Sequence, residues 1–210
     1  MTEVTRGERT ADGIVHISGI AAGAIAVGAM LVGATRYLPA PSTASLAIYG
    51  SAMLAMLGCS AAYHMVTVPR WKDTLRRFDH AAIFLKIAGT YTPFAIVKLG
   101  GVAGYALLTS VWAVALAGAG AKLLLAARWD GASIVLYLAL GWAALPMIAP
   151  LAASVPMPAL LLLGLGGGLY SVGVIFHLWQ SLPYQNALWH LFVLAGTACH
   201  FGAVTGALFG

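Results

Sequence analysis

The sequence predicts an all-α integral membrane protein, a bundle of seven transmembrane helices. Of its 210 residues, 61% are hydrophobic and only 8% are charged, whereas a soluble domain carries about 25% charged residues. Several apolar runs reach the ~20 residues that a helix needs to cross a bilayer core of ~30 Å. Because lipid offers no hydrogen bonds to an exposed backbone, each of these runs is expected to be helical.

Pro, Gly and charged residues separate seven apolar runs, which set approximate span boundaries. The predicted spans are 13–34, 44–66, 79–97, 105–127, 132–150, 158–179 and 187–208. A short polar segment, residues 1–12, precedes the first span and lacks the small-residue cleavage site of a removable signal peptide. The loops are too short for a second domain, so we expect residues 1–210 to form a single seven-transmembrane domain.

Lys and Arg residues predict the orientation, because cytoplasmic loops carry an excess of them. With the N-terminus inside, the outer loops hold only Arg36 and Lys98. The inner segments then hold Arg6, Arg9, Arg70, Lys72, Arg76, Arg77 and Arg128. This distribution predicts a cytoplasmic N-terminus and an outer C-terminus. The basic residues behind the formal charge of +5 thus determine the orientation in the membrane, and no nucleic-acid partner is expected.

Three features inside the spans bear on packing. Pro93 removes a backbone donor and should loosen or kink the third span. Gly164 and Gly168 form a small-xxx-small pair, which favours close helix contact in the sixth span. Cys59 and Cys199 lie in apolar segments, where buried thiols are expected to act as small hydrophobes and not as a redox pair.

Polar side chains gather at one end of three spans, and ionisable residues within spans are functional candidates by default. Ser60 and His64 lie one turn apart near the end of the second span, and Asp79 opens the third. Asn186 and His190 open the seventh span as an i, i+4 pair on one helix face. All five are expected at the same side of the membrane, where they could converge in one site.

These residue types suit a zinc site, because zinc accepts imidazole ligands and a carboxylate can orient or deprotonate its water. His64 and His190 would be ligands, and Asp79 would be a base or a third ligand. Ser60 would hydrogen-bond the water or a substrate carbonyl. The alternative interpretation is a buried polar network that holds the three helices together.

Other ionisable residues are assigned secondary roles. His200 lies about 15 Å deeper along its helix than the candidate ligand of the same span, and we expect it to hydrogen-bond a neighbouring helix. Lys86 shares a helix face with Asp79 and could form an ion pair with it. His16 and His177, near ends of the first and sixth spans, could rim the same cavity.

Several motifs occur in the order typical of one known family. They are Ser60-Ala-Ala-Tyr-His64, Phe78-Asp-His-Ala-Ala-Ile-Phe with Ala88-Gly-Thr-Tyr-Thr-Pro-Phe94, Tyr137-Leu-Ala-Leu-Gly-Trp142, Gly167-Gly-Leu-Tyr-Ser-Val-Gly173, and Leu188-Trp-His-Leu-Phe-Val-Leu194 with His200-Phe. From about Arg9 to its end the chain resembles the hemolysin III family. That family is the bacterial branch of the progestin and adipoQ receptor (PAQR) group and is related to alkaline ceramidases.

The resemblance implies a seven-helix fold with a cytoplasmic N-terminus, in the bacterial inner (plasma) membrane. It also implies zinc bound near the cytoplasmic face by one His of the second span and two of the seventh, beside a Ser and an Asp. His64, His190, Ser60 and Asp79 match this pattern, but Asn186 stands where relatives commonly have His.

An amide oxygen is a poorer zinc ligand than imidazole, so the departure at Asn186 leaves three outcomes open. Zinc could be held by His64, His190 and Asp79. A weak site could be completed by Asn186 and water. The residues could also form a polar network without metal.

The leading functional hypothesis is a hemolysin III-type membrane protein acting as a zinc-dependent hydrolase of lipid amides at the inner leaflet. Its partners would be membrane lipids. The alternative is a non-enzymatic membrane-homeostasis, sensing or lytic protein with a structural polar cluster. A third hypothesis is a proton or ion pathway through Asp79, Lys86 and His200.

Overall fold

The protein is an all-helical bundle in a computed structural model that describes residues 5–125 and 130–210. Every regular element within those ranges is a helix. The α-helices are α1 (Arg6–Tyr37), α2 (Ala40–Met65), α3 (Pro69–Pro93), α4 (Gly101–Leu124), α5 (Asp130–Gly141), α6 (Ile148–Ser154), α7 (Met157–Leu178) and α8 (Gln185–Phe209).

Within the described residues, seven helical segments are long and apolar enough to cross a membrane, which confirms the predicted fold class. Two of them begin well before their predicted spans. Helix α1 starts at Arg6 and α3 at Pro69, whereas the predicted spans start at residues 13 and 79. Helix α4 ends at Leu124. The predicted end of that span and Arg128 of the charge count lie outside the described residues.

The helix that contains Pro93 changes its winding there, as the sequence predicts. Beyond Pro93 the chain continues as a π-helix, Phe94–Leu99. The π-helix ends at Gly100, whose φ of +58° lies in the left-handed region that glycine adopts without a side-chain clash. Two left-handed glycines, Gly100 and Gly101, thus make the tight turn into α4.

The fifth span is broken in the middle, whereas the sequence predicts one continuous helix over 132–150. A short 3-10 turn, Leu145–Met147, separates α5 from α6, and it contains Pro146, which cannot donate a backbone hydrogen bond. The Tyr91 hydroxyl on α3 compensates for the break. It lies 3.0 Å from the Leu140 carbonyl and 2.8 Å from that of Gly141, and it accepts from Ala144 N at 3.1 Å.

Small residues allow the helices to approach closely, but not where the sequence placed them. A Cβ added at Gly164 or Gly168 would meet nothing within 4 Å, so the predicted small-xxx-small pair is not a helix contact. The close approach falls between them. A Cβ on Gly166 would lie 2.4 Å from His200 Cδ2 and 3.1 Å from the Gly196 carbonyl oxygen. Gly166 and Gly196 are therefore points of close approach between α7 and α8.

Candidate metal centre and cavity

Four titratable side chains from three helices meet at one end of the bundle. They are Asp12 and His16 of α1, His64 of α2 and His190 of α8, called here the four-residue cluster. One potential ligand atom from each lies within 4.8 Å of the others. Asp12, His16 and His190 are buried, and His64 is half-buried. Both histidines that the sequence proposed as ligands thus come together, with two α1 residues beside them.

The early start of α1 places Asp12 and His16 in this cluster. Thr5 caps the helix, because its Oγ1 accepts from Glu8 N at 3.2 Å while the Glu8 carboxylate accepts from Thr5 N at 2.7 Å. This reciprocal capping box fixes the first turn. Asp12 and His16 then follow at i, i+4 spacing on one helix face. The helix therefore delivers a carboxylate and an imidazole together.

A hydrogen bond between Glu8 and Tyr184, called here the clamp, joins the start of α1 to the start of α8. The Glu8 Oε1 atom accepts a hydrogen bond of 2.9 Å from Tyr184 N. Tyr184 has a φ of +58°, a left-handed conformation that is uncommon for a residue with a side chain. The chain turns there and enters α8 at Gln185. Because His190 lies in the second turn of α8, this clamp helps to fix its distance from Asp12.

The Asp12 carboxylate is the centre of the four-residue cluster. Its Oδ1 lies 2.6 Å from His190 Nδ1, and its Oδ2 lies 3.4 Å from His64 Nδ1 and 3.7 Å from His16 Nε2. A His that donates its Nδ1 proton to a carboxylate is held in one orientation, which leaves Nε2 for a metal. Asp12 is therefore placed to orient His190 or to act as a ligand itself.

The three imidazole rings pack directly on one another. Ring centroids are 4.3 Å apart for His16 and His190, 4.4 Å for His64 and His190, and 5.2 Å for His16 and His64. Among the described residues, His16 Nε2 is a buried nitrogen without a hydrogen-bond partner, and buried polar atoms normally have one. Three imidazoles and a carboxylate are the donors that zinc accepts, so the residues fit a zinc ion.

Two other predicted site residues lie beside the four-residue cluster. Ser60 interacts with the Asp79 carboxylate, and Asp79 also lies within electrostatic range of His64. Asp79 is only 8% exposed, and all three residues line one cavity. Ser60 and Asp79 thus occupy the wall next to the possible metal position, and their catalytic roles stay predictions.

Asn186 lies outside the four-residue cluster, although it lines the same cavity. The cluster contains three imidazoles without it, because α1 contributes His16. The third imidazole of the cluster thus comes from the first helix, and Asn186 on the last helix is not a member of it. The sequence predicts His16 only at the rim of the cavity, and it does not predict Asp12 as a site residue.

The cavity extends from the four-residue cluster into the membrane-spanning part of the bundle and has a volume of about 1540 Å³. Its deep end holds Lys86 of α3 and His200 of α8, called here the deep pair. Lys86 Nζ lies 3.4 Å from His200 Nδ1 and 4.4 Å from the centroid of the Tyr170 ring. Lys86 therefore contacts His200 and Tyr170, where the sequence suggested an ion pair with Asp79.

His200 also joins two helices. Its Nε2 lies 3.3 Å from the Leu163 carbonyl oxygen on α7, which confirms the predicted hydrogen bond to a neighbouring helix. Beside it, the Tyr170 hydroxyl lies 2.6 Å from Thr197 Oγ1. Since the Nε2 proton is donated to Leu163, Nδ1 is left to accept from Lys86.

Comparison with known proteins identifies the family. The family model described as "Haemolysin-III related" matches residues 6–201. The chain belongs to this family. The hemolysin-3 homolog of Bacillus subtilis (strain 168) is 39% identical over 197 residues, which are 94% of this chain and 92% of that protein. Hemolysin-3 of Bacillus cereus is 36% identical over 206 residues, 97% and 94% of the two chains.

The chain is also similar, more weakly, to an animal protein. The human monocyte to macrophage differentiation factor is 27% identical over 167 residues, 75% of this chain and 67% of that protein. No solved structure matches the chain. Family membership and the seven apolar helices together make the chain a multi-pass protein of the plasma membrane. The direction in which it crosses the membrane stays a prediction from the Lys and Arg distribution.

Proposed function

We propose that this member of the haemolysin-III-related family is a zinc-dependent hydrolase of lipid amides. The observation that carries the proposal is the four-residue cluster, which offers three imidazoles and a carboxylate within 4.8 Å of one another. Ser60 and Asp79 line the same cavity, as expected for groups that would act on a substrate bound beside the metal. A purely structural network has no need of such a cavity.

The chain's own residues divide into those that bind metal and those that would act on substrate. His16, His64 and His190 would hold the zinc, and Asp12 would fix the orientation of His190. When bound, zinc polarises carbonyl oxygens and lowers the pKa of water toward ~7. A catalytic zinc site typically has three protein ligands and one open position, which three histidines with an orienting aspartate would provide.

Asp79 and Ser60 would handle the proton and the developing negative charge. Asp79 would take a proton from the water that attacks the carbonyl carbon of the amide, and Ser60 Oγ would donate a hydrogen bond to the carbonyl oxygen. As the carbon–nitrogen bond breaks, the proton on Asp79 would pass to the leaving amine. The products would be an amine and a carboxylic acid, which keeps the second proton of the water until it ionises in solution.

The size and the lining of the cavity suit a lipid substrate. Its volume of about 1540 Å³ exceeds the ~300–1,000 Å³ of ordinary small-molecule sites. Its lining beyond the four-residue cluster includes apolar side chains such as Leu160, Leu163 and Val193. If the N-terminus is cytoplasmic, the cluster lies at the inner leaflet, so the amide of a membrane lipid would meet it there.

Metal content of single-residue variants tests the first part of the proposal. We expect about one zinc per chain after purification without chelator, and strong loss of zinc in His16→Ala. Asn186→Ala should keep its zinc, because the third imidazole comes from α1. His177→Ala is the matched control, since His177 lines the cavity outside the cluster. Zinc that is absent from the wild type, or lost in Asn186→Ala and kept in His16→Ala, would reject the site.

Hydrolysis tests the second part. Purified zinc-loaded protein would be incubated with ceramide in detergent micelles, and the released fatty acid would be measured by mass spectrometry. Asp79→Asn should lose at least a hundredfold in rate, as expected for a group that transfers protons, while retaining zinc. A zinc-loaded protein that releases no fatty acid from ceramide or other lipid amides would favour the non-enzymatic sensing or lytic alternative.

A further inference from the structure

The deep end of the cavity contains a buried lysine that has no carboxylate partner among the described residues. Lys86 is 3% exposed, and a buried charge within a membrane protein usually pairs with an opposite charge or marks a ligand pathway. In the part of the chain that the structure describes, its ammonium contacts the His200 ring and the face of Tyr170, and no carboxylate pairs with it.

The hydrogen-bond capacity of this ammonium is also incompletely used. A lysine ammonium has three N–H donors, and the contact with His200 Nδ1, at 3.4 Å, uses one of them at a long distance. The Tyr170 ring faces the charge through a cation–π contact. Because Lys86 lines the cavity, donors remain for a ligand that enters from it.

We propose that the deep pair is an anion site that binds the singly charged headgroup of an amphiphile, such as a long-chain carboxylate. One ammonium beside one imidazole matches one negative charge, whereas a doubly charged phosphate would remain half unbalanced. The surrounding lining includes Leu163, Gly164 and Gly167, which offer apolar contact to a hydrocarbon body. The cavity volume of about 1540 Å³ is large enough for such a body.

This site is separate from the four-residue cluster. His200 lies ten residues beyond His190 on α8, which places it about 15 Å deeper along the helix axis. A carboxylate bound at Lys86 would therefore not be a ligand of a metal held by the cluster. The inference does not rest on the proposed hydrolase activity, because an anion can bind at Lys86 with or without zinc.

Binding of oleate and of its uncharged methyl ester to the full chain in detergent tests the proposal. Both ligands share one hydrocarbon chain, and affinity would be measured by displacement of a fluorescent fatty acid. Protein treated with chelator would be used, so that no metal can bind the carboxylate. We expect oleate to bind at least tenfold more tightly than methyl oleate. Equal affinities would overturn the proposal without any variant.

Charge variants locate the site. Lys86→Met should weaken oleate binding about tenfold and leave methyl oleate unchanged, whereas Lys86→Arg should retain the preference for oleate. Lys122→Met is the matched control, because Lys122 is 6% exposed but does not line the cavity. Melting temperatures show whether each variant is folded. If Lys86→Met binds oleate as tightly as the wild type does, the anion site lies elsewhere. The same conclusion follows if oleate binding requires zinc and is kept in Lys86→Met.

Discussion

The four-residue cluster and the deep pair are both ionisable groups inside one membrane bundle, but their charges are balanced differently. In the cluster, Asp12 lies within 3.7 Å of nitrogens from three histidines. In the deep pair, Lys86 contacts a histidine and an aromatic ring. The cluster thus contains a carboxylate, whereas the deep pair is a lysine beside an imidazole and an aromatic ring.

This difference indicates ligands of opposite sign at the two ends of one cavity. A carboxylate surrounded by imidazoles attracts a metal cation, whereas a lysine without a carboxylate attracts an anion. Both groups line the same cavity, so a molecule bound at one end restricts the space at the other. Substitutions that affect one group and spare the other are therefore the sharpest tests of this comparison.

The largest effect is expected for Asp12→Ala. The substitution removes the acceptor of His190 Nδ1 and the only carboxylate in the four-residue cluster. Loss of a buried charged partner costs about 3 kcal/mol of stability, and loss of an orienting carboxylate lowers metal affinity about ten- to a hundredfold. Thermal unfolding in detergent and zinc titration would measure the two effects.

Asp73→Ala is the control for that experiment. Asp73 forms an ion pair of 2.8 Å with Arg77, but its side chain is 58% exposed, and such pairs contribute about 1 kcal/mol or less. Oleate binding at the deep pair should be unchanged in both variants. A zinc affinity of Asp12→Ala equal to that of Asp73→Ala would show that the carboxylate has no role in metal binding.

An intermediate effect is expected for Gly166→Ala, which acts on the deep pair. The new Cβ would lie 2.4 Å from His200 Cδ2 and 2.7 Å from its Nε2, so the ring or the helix that carries it must shift. Overpacking of this kind costs about 1–3 kcal/mol. Oleate affinity should fall because His200 no longer positions the Lys86 ammonium, while zinc content stays at the wild-type level.

Gly168→Ala is the matched control on the same helix, since its Cβ would meet nothing within 4 Å and Gly168 does not line the cavity. It should unfold at the wild-type temperature or slightly above, because alanine favours helix over glycine. If Gly166→Ala and Gly168→Ala behave alike, His200 is free to move and the deep pair is not a fixed site.

The sequence predicted the seven spans, because the length of an apolar run determines whether it can cross the membrane. It also predicted that helix ends converge, because successive spans cross the membrane in alternating directions. It missed Asp12 because the first span was started at residue 13. The signal was present in Thr5 and Glu8, whose spacing is that of a capping box ahead of an apolar run. With α1 extended back to Arg6, Asp12 and His16 become an i, i+4 pair, the same pattern as Asn186 and His190.

The partner of Lys86 could not be predicted in the same way. The face shared with Asp79 depends only on spacing along one helix, whereas the contact with His200 depends on how α3, α7 and α8 pack. That packing rests on Gly166, and a pattern of small residues did not distinguish it from Gly164 and Gly168. Helix contacts between distant segments depend on which small residue faces which side chain, and this is a three-dimensional property.

The smallest effect is expected for Thr5→Ala, which loosens the clamp without touching either group directly. The substitution removes the cap of α1, at a cost of about 1 kcal/mol, and the 2.9 Å bond from Thr5 Oγ1 to Glu8. Glu8 then holds Tyr184 N less firmly, so Asp12 and His190 are less well aligned. Zinc affinity should fall by less than tenfold, and Thr5→Ser should restore it because serine keeps the hydroxyl.

Oleate binding should not change in either variant, since the deep pair lies on α3 and α8 far from the clamp. A parallel loss of zinc and oleate affinity in Thr5→Ala would mean that the two ends of the cavity are coupled through the bundle and are not independent sites.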